Sequence, residues 1–137
     1  MKRIVFGESV QGASHLRSNI ECQDSFKRIE CDSGTVILAV ADGHGGKSSP
    51  FSKTGSQIAV NVFCKVIEEL YYGYEDNLEM LLTYLNREGD TKVAQAIDSL
   101  WKKRIWKNHL NKKRKVIDIE TGDKNKQLVY KQYGTTL

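Results

Sequence analysis

The run Thr35-Val36-Ile37-Leu38-Ala39-Val40-Ala41, followed at once by Asp42-Gly43-His44-Gly45-Gly46, constrains this chain more than any other stretch. It is short, unbroken and rich in β-branched residues, which fits a strand covered on both faces. Three glycines and a carboxylate then end it abruptly. A carboxylate at the exit of a buried strand is costly unless something compensates it, and a metal ion is a common compensation. The glycines let the backbone turn sharply and bring carbonyl oxygens close to a ligand. Oxygen donors of this kind suit hard cations such as Mg²⁺ and Mn²⁺, and a histidine in the same loop can give up a proton near neutral pH. A glycine-rich turn with an Asp cap and a surface His remains an equal alternative for the pentapeptide alone.

The rest of the opening third also reads as strands. Ile4 to Val10 is a short apolar-polar stretch, and Gln11-Gly12-Ala13-Ser14 is turn-prone. Asp24 to Glu30 alternates, with Phe26 and Ile29 as apolar members, and Asp32-Ser33-Gly34 supplies a turn. The middle is helical. Between Ser52 and Leu70 the stripe Ile58, Val62, Val66, Ile67 and Leu70 predicts one buried helix face. A second helix is expected over Leu78 to Leu85, ending near Gly89. A third is expected from about Thr91, with Asp90 as N-cap and the stripe Val93, Ile97, Leu100, Trp101 and Ile105. Alternation over Lys115 to Glu120 and again over Gln127 to Tyr133, with Gly122-Asp123 between, predicts a hairpin. The chain stops at Gly134-Thr135-Thr136-Leu137, which reads as the first turn of a new strand and predicts truncation.

Composition fits one globular domain or a piece of one: 137 residues, 39% hydrophobic and 28% charged, which is too apolar for a wholly disordered chain. No apolar run approaches the roughly 18–20 residues of a membrane-spanning helix, and the N-terminus carries no signal-peptide pattern. A cytoplasmic address is the expectation. Cys22, Cys31 and Cys64 form neither a paired disulfide framework nor a zinc pattern, so reduced thiols are expected, with Cys64 in the core. The net charge of +4 is concentrated in Lys102 to Lys115, KKRIWKNHLNKKRK. His109 falls near that helix's end, where a dipole partner is expected. Tyr71, Tyr72 and Tyr74 read as a packed helix-end cluster.

A second cluster changes the weight of the first. Ser14-His15 is followed by Cys22-Gln23-Asp24-Ser25-Phe26, which puts another acid at the start of a strand. A lone Asp there is more often a turn residue, but two acids at strand ends can meet at one rim of a sheet. The ordered set Gly12-Ala13-Ser14-His15, Cys22-Gln23-Asp24-Ser25-Phe26, Val40-Ala41-Asp42-Gly43-His44-Gly45-Gly46 and Gly134-Thr135-Thr136-Leu137 resembles the type 2C family of metal-dependent protein serine/threonine phosphatases. The likeness is strongest to a bacterial branch with a Ser-His and a Gln-Asp pair in the first motif. It runs from about Val5 to Leu137, and Ala-Asp-Gly-His-Gly-Gly is its most specific part.

The resemblance implies an α+β fold: the N-terminal part of a β-sandwich of two antiparallel sheets flanked by helices. It also implies two Mn²⁺ or Mg²⁺ ions in the complete domain. On that reading Asp42 bridges the metals, Gly43 offers its carbonyl, Asp24 lies in or just outside the metal shell, and His44 is the candidate general acid. His15 and Arg17 are the candidate phosphate contacts. The reaction implied is attack of a metal-activated water on phosphoserine or phosphothreonine of a protein substrate. Gln23 stands where many members carry a Glu, and the first-motif Arg has no clear counterpart. The family's remaining metal-binding aspartates would lie beyond Leu137. The chain alone is therefore expected to bind metal weakly, to show little or no phosphatase activity, and to self-associate through open sheet edges.

Two other classes compete. One is a catalytically dead phosphatase-like module that recognises a phosphorylated partner. The other is nucleic-acid binding through Lys102 to Lys115 with Trp101 and Trp106 as stacking groups; it is the weaker reading, because both tryptophans sit at helical spacing suited to packing.

Overall fold

Strictly alternating burial along 36–43 shows how the central strand is used: Ile37, Ala39 and Ala41 are buried, whereas Leu38 and Val40 are 54% and 72% exposed. In a computed structural model, which describes residues 4–114 and 122–137, the elements in chain order are α1 (Ala13–Arg17), β1 (Ser25–Glu30), β2 (Val36–Gly43), α2 (Ser52–Gly73), α3 (Leu78–Glu88), a π-helical turn (Gly89–Val93), α4 (Ala94–Asn111), α5 (Gly122–Gln132) and β3 (Thr135–Thr136). The class is α+β. The strands form one antiparallel sheet in the order β1-β2-β3, with Ser25 opposite Ala41 and Asp42 opposite Thr136.

One face of the sheet is covered by α2. Ile37, Ala39 and Ala41 meet Ala59, Val60, Cys64 and Ile67 of that helix in a core that extends to Leu81 and Val93. Burying each large side chain of this set is worth about 1.5–3 kcal/mol. Helix α4 packs on α2, and α5 packs on α4. A second core there joins Ile105, Val129 and Tyr133 with Phe51, Ile58, Trp101 and Trp106 around it. Expected two-sided cover of β2 is met on one side only, because among the described residues no second sheet lies against Leu38, Val40 and the 39%-exposed Phe26.

The helical stripe of α2 and the boundaries of α3 follow the sequence pattern; Asn77 caps α3 by accepting the Met80 N–H at 3.0 Å. Three expectations are overturned. Residues 4–10 form no strand, and Ile4, Phe6 and Val10 stay exposed without a pairing partner among the described residues. Asp90 is not an N-cap: α3 runs into α4 through the π-helical turn. The extra residue of that turn shifts the phase so that Val93, Ile97 and Trp101 face the same core as Leu81 and Leu85. Finally, residues 127–132 are helical. Val129 and Tyr133, four apart, are both buried against Ile105, and this spacing overrides the apparent alternation. The other half of the expected hairpin, 115–120, lies outside the described residues. Among the described residues no helix is long and apolar enough to cross a membrane.

Candidate functional site

The register of the β1–β2 ladder fixes the site. Ser25 pairs with Ala41, so one step further sets Asp24 opposite Asp42 and a second step sets Gln23 opposite Gly43. The second step is tight: a Cβ on Gly43 would stand 2.6 Å from the Gln23 carbonyl oxygen. On its other edge, Asp42 pairs with Thr136. Asp24, Asp42 and Thr136 therefore form one row across three strands, on the face away from α2. Asp24 and Asp42 wall a common cleft of about 340 Å³ with Glu8, Ser9, Phe26 and Val40.

The start of α2 holds both motif segments from behind. Buried Ser56 donates its hydroxyl to the Gln23 carbonyl at 2.5 Å and stands 2.8 Å from Ser25 Oγ. Buried Ser52 accepts the Gly45 N–H at 3.3 Å. Gly45 and Gly46 turn the loop with φ of +64° and +79°, a region closed to most side chains. The far end of the chain closes on the same loop. The His44 N–H donates to the Gly134 carbonyl at 3.0 Å, His44 Nε2 lies 3.1 Å from Thr136 Oγ1, and the Thr135 hydroxyl donates to the Asp42 carbonyl at 2.7 Å. Buried Ser49 adds a bond to the Lys131 carbonyl at 2.9 Å.

The structure thus brings Asp24, Asp42, Gly43 and His44 to one end of the sheet. It does so differently from the sequence argument in two respects. Asp42 is exposed, so the cost of burying its charge does not apply. Two carboxylates set opposite each other are instead a like-charge pair, which such a register disfavours. His44 does not wall the carboxylate cleft; its ring turns to the β3 side, onto Thr136. His15 and Arg17 lie on α1, fully on the surface and outside the walls of that cleft.

A family model described as protein phosphatase 2C matches residues 11–137. The chain belongs to the protein phosphatase 2C family. No curated protein and no solved structure matches it. Membership makes this a phosphatase-type hydrolase fold, and it accounts for the order of the motifs along the chain.

Four features of this candidate site escaped the sequence argument. Glu8 joins the cleft from the 4–10 stretch, whose apolar-polar pattern pointed to a strand and gave Glu8 no role. Ser52 and Ser56 look like ordinary polar residues at a helix start, although their spacing of four puts both on one face. Thr136 carried a motif match but no role, because contact with a residue ninety-two positions away has no local signature.

The donors present fit a hard divalent ion in kind: two carboxylates and, from Gly43, a carbonyl. They fall short in number, since among the described residues no group of three or more His, Cys, Asp or Glu converges as a metal site.

Proposed function

We propose that this chain forms the N-terminal part of a domain that hydrolyses phosphoserine and phosphothreonine esters on proteins with Mn²⁺ or Mg²⁺. The row Asp24–Asp42–Thr136, with His44 held on Thr136, is the observation that carries the reading. Asp24, Asp42 and the Gly43 carbonyl would hold the ions, which when bound lower the pKa of water and offset phosphoryl charge. His44 would donate a proton to the departing serine or threonine oxygen, with its imidazole oriented by the bond to Thr136 Oγ1. His15 and Arg17 serve as phosphate contacts from α1.

The uncovered apolar face of Phe26, Leu38 and Val40 supports a further layer of structure belonging against this sheet. With two carboxylates converging, the chain by itself holds metal weakly and turns over little substrate. A non-catalytic module that recognises phosphorylated partners draws support from the same shortage of ligands. Three free cysteines, two of them buried, suit a reducing cytoplasmic setting.

Calorimetric titration of Mn²⁺, with p-nitrophenyl phosphate turnover, is the test, on this chain and on a form extended by about 100 residues, a typical domain increment. Tight Mn²⁺ binding and turnover are expected only in the extended form. Normal turnover by the chain alone overturns the incomplete-site reading, and inactivity of both forms favours the binding module.

A further inference from the structure

The β1–β2 ladder stops one residue short of the acid it has to place. Its last pair is Ser25 with Ala41, and β1 begins at Ser25, so Asp24 lies beyond the paired strand. Asp42 is held from its other edge by Thr136. Asp24 has no such neighbour: among the described residues neither Gln23 nor Asp24 makes a backbone–backbone hydrogen bond. An unpaired strand end of this kind frays readily. Here, however, the residues on both flanks of Asp24 are tied to one side chain.

That side chain is Ser56. It is fully buried on α2, and its hydroxyl carries a single proton. The proton goes to the Gln23 carbonyl at 2.5 Å, with the Lys53 carbonyl at 3.0 Å as the ordinary within-helix alternative. Ser25 Oγ, 2.8 Å away, is then left to donate to Ser56 Oγ. One hydroxyl thus grips residue 23 and residue 25. Gln23 is also seated in the notch of the glycine loop: a Cβ on Gly43 would come within 2.6 Å of its carbonyl oxygen, and one on Gly45 within 2.5 Å of its Oε1. The other ties are weaker. Lys53 reaches Glu21 at 3.0 Å with both side chains exposed, where an ion pair contributes little. The exposed Ser9 hydroxyl stands 3.5 Å from the Asp24 carbonyl, longer than an ordinary hydrogen bond.

We infer that Ser56 is a positioning residue, whose hydroxyl, together with Ser25, holds Asp24 opposite Asp42 and so sets the spacing of the carboxylate pair from behind the sheet. Ser56 lies on the α2 side, while the two acids belong to the opposite face, so it acts only through the main chain. The consequence for Mn²⁺ rests on the phosphatase reading above; the hold on Asp24 does not.

The test is NMR on the full chain, first metal-free and then titrated with Mn²⁺, for wild type, Ser56→Ala, Ser25→Ala, the double variant and Ile67→Val. Ile67 is a core residue of the same helix, and trimming it lowers stability without touching residues 23–25. In the metal-free chain the Asp24 backbone order parameter is expected to fall from about 0.85 towards about 0.6 in S56A, and by less in S25A. Mn²⁺ affinity, read from broadening at Asp24 and Asp42, should drop about three- to tenfold in S56A, the worth of one hydrogen bond. The double variant should lose less than the product of the singles, because both act through one segment. I67V should keep wild-type order and affinity. Unchanged Asp24 order in both serine variants, or an equal loss in I67V, overturns the positioning role. Loss of order with Mn²⁺ affinity kept overturns its bearing on the ions. Should S56A fail to fold, S25A against I67V decides by the same criteria. If Mn²⁺ broadens neither acid in wild type, the metal assignment fails, and Asp24 order in the metal-free variants decides alone for or against Ser56.

Discussion

His44 Nε2 lies 3.1 Å from Thr136 Oγ1, across ninety-two positions of sequence. The imidazole sits within the glycine loop, where no sequence neighbour is large enough to fix its rotamer. Its orientation is therefore supplied by a hydroxyl from β3, and the same strand holds the Asp42 carbonyl through Thr135.

Removing that hydroxyl should cost one ordinary hydrogen bond, about 0.5–1.5 kcal/mol. In the extended domain Thr136→Val is expected to lower phosphatase turnover about two- to tenfold, with KM little changed, while Thr136→Ser keeps it. Imidazole line widths measured by NMR on the chain itself check the same point: His44 broadens in T136V only.

Asp42→Asn separates charge relief from metal binding. Loss of repulsion across the ladder with Asp24 should raise stability slightly, by about 0.2–1 kcal/mol. Mn²⁺ affinity, followed by electron paramagnetic resonance, should fall. Unchanged Mn²⁺ binding would remove Asp42 from the metal assignment.

Gly55→Ala tests how closely the last turn of the chain is pressed against α2. Alanine normally stabilises a helix interior by about 1 kcal/mol over glycine. Here its Cβ would overlap the Tyr133 carbonyl oxygen, and overpacking of this kind costs about 1–3 kcal/mol or more. The net effect should be destabilising, seen as a Tm several degrees lower by calorimetry.

Thiol chemistry should discriminate sharply. Burial pushes the Cys31 and Cys64 thiols up from their ordinary value near 9.0, with Glu68 adding to the rise at both. Fewer thiolates form, so Cys22 should react first with a disulfide reagent at pH 8. A folded-state pKa above the unfolded one stabilises fully below pH 9, and that stability is lost as pH rises through the folded value. Chemical denaturation at pH 8 and pH 10 should show the loss, and Cys64→Ala should diminish it.

Leu38→Lys/Val40→Thr should suppress self-association, because both side chains point away from α2 and into solvent. Light scattering is expected to report less aggregate, with folding stability changed by no more than about 0.5 kcal/mol per site.

Much of this was legible in the sequence where periodicity and burial agree. The α2 stripe, the β2 run and the two acids at strand ends follow from residue types alone. The failures have physical causes. Two-sided cover of β2 was inferred from an apolar run, but Leu38 and Val40 face outward here. Alternation over 127–133 lost to the four-residue spacing of Val129 and Tyr133 against Ile105. Asp90, a good capping residue, was passed over because the turn around it had to rotate Val93 inward. His109 does fall in the last turn of α4, and its burial, with Nδ1 3.2 Å from Tyr133 Oη, is what the local sequence did not signal. Long-range partners such as Thr136 and Ser56 leave no local trace.

The middle strand is gripped on one edge by residues 25–30 and on the other by 135–136. During synthesis the first grip can form early, while the second must wait until residues 135–136 emerge, a closure of high contact order. Asp42 and Asp24 can thus meet on the ribosome long before His44 acquires its orientation. A nascent chain that ends before β3 would carry the two opposed carboxylates without the contact that orients the imidazole.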